Sequence, residues 1–557
     1  MGRFRFLIVL YVTCIVVACE RDFEHDNISV ITEQNSVLLA DEGINMYSLD
    51  VMHEARDYVY KNKTRNRIAI SDEIQPTHCY VQFFPENRYQ VDALSDNYVL
   101  STLPLDNVAS CVASADGPVN SSSSLDENGR AVLYSMVDAD MLLPDSIDYN
   151  VIEYLYDPSF DVELNGDQEL VDDIIGAAYS IVTCGDITRA TKMAAVCPTG
   201  VIRVWDDFVG AYIPVEGVTV YIHDGGHPKI VTTNSYGEFT SNSTVSNPVI
   251  TYIVQWRNND YAIKHGDLDP ALTYAVPYPN GLTLNIPKSD AASYNAATVF
   301  RAAYHYCSKA PSRLGVTKPT LDGPIRISCH NAPSNTTYNA VGLFWPLDRN
   351  IDEPNIEVWC KNRNSRSIIG TTIHELGHAA HYSHLGYTNF NSEQLHSVVK
   401  ESWARFVQNV VADDVYCYND DVLGTNYESL LHNTYEYVDG SNIRVLDIPD
   451  NINQQQWIYN ANSSQVHYTP MFIDIYDDFN QNEWYGTIMP NSSINLANVP
   501  YDVINIPNIP FIEEMAFDAR NVQDVKNATK LHVIQNQLSC SNVDIDVLFS
   551  VYGRVTY

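Results

Sequence analysis

Short runs in the first third of the chain alternate between apolar and polar positions. Between Met46 and about Ile187, the runs 80–84 and 131–134 alternate at period two, which predicts strands. A stretch near 170–178 has its apolar residues at helical spacing instead. The pattern predicts a mixed α+β region, and we find no catalytic constellation of side chains in it.

The next region has a different pattern, in which period two dominates. From about 198 to 257, the runs 200–205 and 217–221 alternate at period two, which predicts further strands. The residues from Asn234 to Gly237 are typical of a turn that precedes another strand. This region is therefore expected to be a small all-β unit.

The last half of the chain combines helical and strand patterns. Residues 295–306 predict a helix, and 341–345 and 356–360 predict two strands. The run 392–411 has apolar residues at helical period that form one broad stripe, so a long amphipathic helix is expected there. This region should be mainly helical.

The length of the chain indicates how many domains these regions form. At 557 residues the chain exceeds what one hydrophobic core normally supports, so several domains are expected. The predicted fold class is α+β and multidomain, with a mixed N-terminal domain, a small all-β sandwich and a mainly helical C-terminal domain. The expected divisions are a signal peptide at 1–18, a tether at 19–45, and domains at 46–195, 196–260 and 261–557.

The strongest candidate chemistry is the sequence His374-Glu375-Leu376-Gly377-His378. Residues four apart lie on one face of a helix, so His374 and His378 can bind one metal ion. Glu375 can then take a proton from water on that metal. The preceding run has apolar residues at helical spacing, with Ser365 or Ser367 as the expected N-cap. The pattern predicts a catalytic zinc site.

Such a site needs a third protein ligand, and two residues compete for the role. The motif continues as H-E-x-x-H-x-x-H-x-x-H and ends at His384, which resembles the metzincin pattern. However, His381 occupies the place of the glycine that turns the metzincin chain off its helix. If the helix continues, His384 lies about 9 Å of rise beyond His378, and His381 can only support the ligands. Glu401 is the other candidate, because it lies nearly opposite the apolar stripe of its helix.

The two helices together resemble the gluzincins, the thermolysin-like zinc peptidases. That resemblance implies Zn²⁺ bound by His374, His378 and Glu401, with Glu375 as the general base. One position departs from the family, because Arg405 stands where these enzymes often have an aspartate that supports a histidine ligand.

The same resemblance implies roles for two further segments. In gluzincins an edge strand before the motif helix pairs with extended substrate, and Gly342, Leu343 and Phe344 occupy that place here. A helper that donates a hydrogen bond to the tetrahedral oxyanion is also expected, and His467 and Tyr468 are candidates for it.

The all-β region carries a second resemblance. The phrase 214–218, Pro-Val-Glu-Gly-Val, and the turn at 234–237 are similar to the carboxypeptidase regulatory-like domain, a small seven-stranded sandwich. This resemblance implies a fold rather than an activity, since such modules usually act as spacers or docking surfaces.

The N-terminus predicts export and a lipid anchor. Arg3 and Arg5 precede the apolar run 6–16, which is too short for a comfortable membrane span. The residues around Cys19 resemble the lipobox of bacterial lipoproteins, in which the cysteine is lipidated. The order of export signal, sandwich and metal motif resembles cell-envelope lipoproteins of Bacteroidetes type, so an outer-membrane location is expected.

The net charge bears on the possible partners, and the cysteine spacing bears on structural metal sites and disulfides. The formal net charge of −36 argues against nucleic acid as a partner. The cysteines have no Cys-x-x-Cys spacing, so a structural zinc finger is not expected, and their disulfide connectivity cannot be deduced.

The sequence therefore favours a lipid-anchored zinc metallopeptidase that hydrolyses peptide bonds of peptide or protein substrates at the bacterial cell envelope. The alternative is a non-catalytic surface lipoprotein that binds glycan or protein and keeps a structural or vestigial zinc site. The intact Glu375 favours the enzyme, because structural zinc needs no base.

Overall fold

A computed structural model of the chain has mixed α and β structure with several sheets. The structure describes residues 45–552 except for the segments 63–73, 102–103, 106–125, 162–163, 165–166, 185–196, 227, 245–248, 266–271, 278–280, 336–340, 346–354, 426–431, 440–441, 450–468, 478, 489–495 and 497–498. Several sequence predictions lie outside these residues, namely the signal peptide 1–18, most of the tether 19–45, the lipid site Cys19, and the candidate oxyanion donors His467 and Tyr468. Within the described residues, no helix combines the length and apolarity needed to cross a lipid bilayer.

The N-terminal region is an antiparallel sheet with helices on its two faces. Its elements are α1 (Leu49–Asn62), β1 (His78–Phe84), α2 (Arg88–Asn97), β2 (Leu133–Asp138), β3 (Asp148–Leu155) and α3 (Gln168–Cys184). The central strand β1 pairs with β2 on one side and with β3 on the other. Tyr80 packs with α1 and α3, whereas Val81 and Phe83 pack with α2 on the opposite face. Burial on both faces explains why β1 is so apolar.

Two further sheets form a sandwich. Their strands are β4 (Thr199–Asp206), β5 (Ala211–Pro214), β6 (Thr219–His223), β7 (Lys229–Thr232), β8 (Glu238–Thr240), β9 (Val249–Gln255), β11 (Leu272–Pro277) and β12 (Leu282–Ile286). One sheet has the order β11-β9-β6-β7, and the other has the order β12-β4-β5 with β8 also paired to β4. The rings of Phe239 in β8 and Tyr252 in β9 lie 5.8 Å apart, so the sheets face each other. Asn234 accepts hydrogen bonds from the N–H groups of Tyr236 and Glu238, which forms the expected turn.

The sandwich continues past residue 260, the boundary expected from sequence. β11 and β12 lie beyond that boundary and pair with β9 and β4 respectively. Between them and β9, the chain contributes β10 (Tyr261–His265) to a different sheet. One hydrophobic core also joins the sandwich to the C-terminal helices. The two regions are interleaved in the chain and continuous in their packing.

The C-terminal region is built from a second mixed sheet and many helices. Its elements are β10, α4 (Ala291–Tyr304), a π-helical turn (His305–Lys309), α5 (Ala310–Arg313), β13 (Ile325–His330), β14 (Gly342–Phe344), β15 (Ile356–Trp359), α6 (Ser365–Phe390), α7 (Ser397–Leu423), the hairpin β16 (His432–Asp439) and β17 (Asn442–Pro449), α8 (Met471–Tyr476), α9 (Gln481–Ile488), α10 (Ile509–Asp518), α11 (Val522–Asn536) and α12 (Asn542–Tyr552). The sheet order is β10-β13-β15-β14. The first three strands are parallel, and β14 is an antiparallel edge strand.

The N-terminus of the motif helix α6 is fixed by the sandwich. Its N-cap is Asn364, whose side chain accepts a hydrogen bond from the N–H of Ser367. The prediction of Ser365 or Ser367 as the N-cap was therefore wrong. The hydroxyl of Ser365 donates instead to Asp206 at the end of β4, and its N–H donates to Asp207. Two carboxylates thus lie at the positive end of the helix dipole, which favours this helix start.

A second polar contact joins the same two regions. Glu216, in the turn after β5, accepts hydrogen bonds from Tyr304 over 3.2 Å and from Tyr418 over 2.7 Å. Lys309 pairs with the same carboxylate at 2.7 Å. The turn that contains Glu216 is therefore bound directly to the helical region.

Candidate metal centre

Two histidines of α6 face one another across one helical turn. The ring centroids of His374 and His378 are 4.8 Å apart, and the ring planes are nearly perpendicular at 86°. Their Nε2 atoms both lie 3.4 Å from Oε2 of Glu401. One nitrogen from each histidine and one oxygen of Glu401 lie within 4.8 Å of one another. Among the described residues, no other group of three His, Cys, Asp or Glu side chains converges in this way.

Glu401 reaches this position because α7 packs closely on α6. A Cβ atom on Gly377 would lie 2.6 Å from Cγ1 of Val407, so the helices approach where the motif has a glycine. Val399, Trp403 and Val407 are buried on the core side of α7. Glu401 lies on the other side of that stripe, as the sequence pattern predicts, and its side chain is 33% exposed.

The electrostatics of the three side chains suit a cation. Burial lowers the pKa of His374 to about 4, so its imidazole is neutral at pH 7 and keeps a lone pair for a metal. Burial opposes protonation of His378, but the Glu401 carboxylate outweighs it and raises the pKa of His378. Burial also disfavours the charged form of Glu401, yet the two imidazoles hold its pKa well below the usual range. Glu401 is therefore a carboxylate.

Glu375 lies beside this group in a different environment. Its side chain is buried, and burial raises its pKa to about 8, with the negative charge of Glu401 acting in the same direction. The N–H of Phe344 donates a hydrogen bond to the Glu375 carboxylate and partly offsets this shift. The two glutamates thus have opposite proton affinities, as an acid–base group and a ligand require.

The edge strand β14 passes directly over Glu375. A Cβ atom on Gly342 would lie 2.4 Å from Oε1 of Glu375 and 2.6 Å from Cγ2 of Thr371, so only glycine allows this approach. Val341 and Trp345 form backbone hydrogen bonds on the side of β14 that faces β15. Because bonding alternates along an antiparallel strand, Gly342 and Phe344 turn their backbone groups to the open side.

The rival third ligand, His384, is not part of the convergent group. Helix α6 continues through it and is interrupted only at Gly386, where φ is 71°. The half-exposed His384 ring lies against Phe517, and its Nε2 is 3.9 Å from Asp518. The structure brings Glu401, and not His384, to the two motif histidines.

His381 is buried one turn beyond His378. Its ring stacks on Phe517 with the centroids 4.9 Å apart. Burial lowers its pKa to about 3, and among the described residues neither ring nitrogen has a hydrogen-bond partner. It therefore packs as an apolar ring.

Support for the histidine ligands is sparse, as the sequence at Arg405 suggests. Arg405 donates to Gln408 over 3.2 Å and offers no acceptor for an imidazole N–H. The Nδ1 atoms of His374 and His378 are buried and have no hydrogen-bond partner among the residues that the structure describes. Metal-bound histidines usually donate from that second nitrogen, so these two are held mainly by packing.

The donor set nonetheless fits zinc. Two imidazoles and one carboxylate are a set found in catalytic zinc sites, which keep a further position open. Comparisons of the chain with protein-family models, with curated proteins and with solved structures find no match.

Two contributions to this site had no local signal in the sequence. Asp206 and Asp207 fix the start of α6 from a strand far earlier in the chain. The N–H of Phe344 contacts Glu375 from an edge strand, although the strand itself was predicted. Both contacts join residues distant in sequence, which periodicity does not reveal.

Proposed function

We propose that the protein is a zinc-dependent peptidase of gluzincin type. The observation that carries this proposal is the convergence of His374, His378 and Glu401 within 4.8 Å, beside a buried Glu375. In this proposal the first three residues bind Zn²⁺ and the fourth is the general base. A purely structural site would have no use for Glu375.

Substrate binding is assigned to the open edge of β14. The backbone groups of Gly342 and the carbonyl of Phe344 lie on that side, and an extended peptide can pair with them as an added antiparallel strand. Backbone pairing supplies affinity with little demand on side chains. It also places the peptide over Glu375, because Gly342 lies directly against that carboxylate.

The chemistry divides between the metal and Glu375. A bound zinc ion would acidify a water molecule and polarise the carbonyl of the scissile bond. Glu375 accepts the proton of the attacking water and later delivers it to the leaving amine. Burial raises the pKa of Glu375, which favours transfer of the water proton to it, and the charge of a bound zinc ion would keep the carboxylate ionised before that transfer. His467 and Tyr468 stay predictions as oxyanion donors.

The cellular setting is part of the same proposal. The N-terminal sequence and Cys19 favour an exported lipoprotein of the bacterial cell envelope, expected at the outer membrane. The substrate would be a peptide or protein that reaches that compartment.

The test combines metal analysis with casein cleavage. Purified wild-type protein should contain about one zinc per chain and cleave casein, and chelation should abolish cleavage. Glu375→Gln should keep the metal and lose cleavage by roughly a thousandfold or more. Glu393→Gln, on the exposed connection between α6 and α7, is the matched control and should cleave normally.

Two results would contradict the proposal. Absence of bound zinc at neutral pH would remove the metal site. Bound zinc with equal casein cleavage by wild type and Glu375→Gln would instead favour the non-catalytic binding lipoprotein.

A further inference from the structure

Arg363 lies between β15 and α6, at the edge of the candidate active site. Its guanidinium group extends along the first two turns of α6 and donates to the hydroxyls of Ser367 and Thr371, each over 2.6 Å. It also donates to the carbonyl oxygens of Ser367 over 2.9 Å and Trp359 over 3.3 Å. All of these acceptors are neutral.

The positive charge of Arg363 lacks a counter-charge. No carboxylate of the described residues lies within ion-pair distance of Arg363, although the chain has 69 acidic against 33 basic residues. By contrast, Arg301, Arg313 and Arg366 each pair with an aspartate at 2.9 Å. Arg363 instead donates only to neutral oxygens.

The surroundings of Arg363 oppose a positive charge. Burial lowers the pKa of Arg363; the neighbouring Cys360 opposes this shift, and the positive charge of Arg405 adds to it. Arg363 also lies near the start of α6, where the helix dipole favours negative groups. An anion bound there would relieve this repulsion.

Contacts through Thr371 show where Arg363 lies relative to β14, the strand to which substrate binding is assigned. The Thr371 hydroxyl accepts from Arg363, and its methyl group lies against Gly342 at the start of β14. The carbonyl of Trp359 accepts from Arg363, and the N–H of Trp359 donates to Val341. Arg363 is therefore at the N-terminal end of β14, one turn of α6 before Glu375.

The direction of β14 then fixes which part of a substrate meets Arg363. A peptide that pairs antiparallel with β14 runs from Phe344 towards Gly342. Its scissile bond lies near Glu375, so the residues that follow that bond extend towards Arg363. One N–H of Nη1 makes no bond in the described structure, because that atom donates only to Trp359.

We propose, on the basis of the proposed peptidase function, that Arg363 forms a subsite for a carboxylate on the C-terminal side of the cleaved bond. The carboxylate is either an acidic side chain or the terminal carboxylate of the substrate. The N–H of Nη1 that makes no bond in the described structure can donate a charge-assisted hydrogen bond to a carboxylate. The enzyme would thus select acidic peptides, or peptides cut near their C-terminus.

Binding to a zinc-loaded Glu375→Gln protein tests this subsite without requiring cleavage. The probes are two pairs of neutral alanine-rich peptides. One pair has capped ends and differs by a central glutamate or glutamine, and the other differs by a free or amidated C-terminus. At least one carboxylate peptide should bind roughly tenfold tighter than its amide partner. Preference in the first pair indicates an acidic side chain, and preference in the second indicates a terminal carboxylate.

Variants at Arg363 assign the preference to this residue. In the same background, R363Q should abolish the difference between the paired peptides, whereas R363K should retain part of it. R366Q removes a cation of the same helix that already pairs with Asp413, so it should keep the full preference. If R363Q does not fold, R363K is compared with the parent protein. A smaller preference in R363K supports the assignment, and an equal preference contradicts it.

The outcomes separate this inference from the peptidase proposal. Equal affinities for acid and amide peptides, or a preference that R363Q leaves unchanged, would overturn the subsite even if casein is cleaved. Conversely, an Arg363-dependent preference in a protein that never cleaves peptides would support the carboxylate subsite and contradict the peptidase.

Discussion

The indole nitrogen of Trp403 donates a hydrogen bond to the carbonyl oxygen of Gly377 over 3.2 Å. This bond joins α7 to the metal motif itself, because Gly377 lies between the two histidines. Trp403 is fully buried, and Glu401 lies only two residues before it. The depth to which α7 packs on α6 therefore sets the distance from Glu401 to His374 and His378.

Substitution of Gly377 by alanine tests this dependence. The added Cβ would lie 2.6 Å from Cγ1 of Val407 and 3.5 Å from Cα of Ala404, so the helices must separate. We expect a loss of about 1–3 kcal/mol in the free energy of unfolding and zinc affinity weaker by roughly tenfold. Chemical denaturation and competition with a chromophoric chelator measure the two effects.

A matched control is available on the same helix. A Cβ on Gly370 would meet only the flexible amide end of Gln408, at 3.0 Å. Gly370→Ala should leave zinc affinity close to that of wild type. Equal zinc affinity in Gly377→Ala and wild type would show that helix spacing does not control the site.

The identity of the third ligand is tested by a pair of alanine variants. Glu401→Ala removes the oxygen that both imidazoles face, so it should lose bound zinc. His384→Ala removes a half-exposed ring that packs on Phe517, so it should keep zinc. Zinc content after dialysis, and the rise in unfolding temperature on adding zinc, measure the difference. Loss of zinc only in His384→Ala would reverse the assignment.

The buried ion pair between β4 and α4 is expected to be essential for stability. Asp206 is fully buried, accepts from Arg301 over 2.9 Å and also accepts from the hydroxyl of Ser365. Asp206→Asn leaves Arg301 buried without its counter-charge, which should cost about 3–5 kcal/mol in urea denaturation.

The neighbouring ion pair of Lys288 with Asp207 supplies the control. The Lys288 side chain is 46% exposed, so Lys288→Ala should cost at most about 1 kcal/mol. Similar costs for Asp206→Asn and Lys288→Ala would refute a special role for the buried pair.

Stability should fall as the pH is lowered, in part because of His305 and Asp414. Burial lowers the pKa of His305 below its ordinary value near 6.5, whereas hydrogen bonds and ion pairs lower that of Asp414 against the effect of burial. The unfolded chain therefore binds protons at a higher pH than the folded chain. The free energy of unfolding should decline below about pH 6.5 through His305, and again below about pH 4 through Asp414.

His305→Gln isolates the first part of this pH dependence. A glutamine amide can still donate to Asp414, which His305 contacts over 2.7 Å, but it does not titrate. The difference in unfolding free energy between pH 7 and pH 5 should be smaller in the variant than in wild type. An unchanged difference would exclude His305 as a contributor.

Local pattern sufficed for the elements that carry the site. The spacing of His374 and His378 predicts their shared face on α6, and the apolar stripe of α7 predicts that Glu401 lies on the opposite side. The structure confirms both helices and brings the three side chains together. The two strands before the motif are confirmed at Gly342–Phe344 and Ile356–Trp359.

Contacts between distant residues could not be predicted in this way. Sequence pattern did not reveal that β12 returns to pair with β4, because β10 intervenes in the chain and belongs to another sheet. The N-cap was wrong for a related reason. Ser365 is a good local N-cap, but its hydroxyl is bound by Asp206, and the adjacent Asn364 takes the capping position.

Asp206 and Glu216 also bear on how this protein could have arisen. A domain that is exchanged freely between proteins must satisfy its own polar groups without contacts from another region. Here the sandwich supplies acidic groups that receive Ser365, Tyr304 and Tyr418 from the helical region. Either region alone would therefore leave polar groups that are now paired across this boundary without their partners.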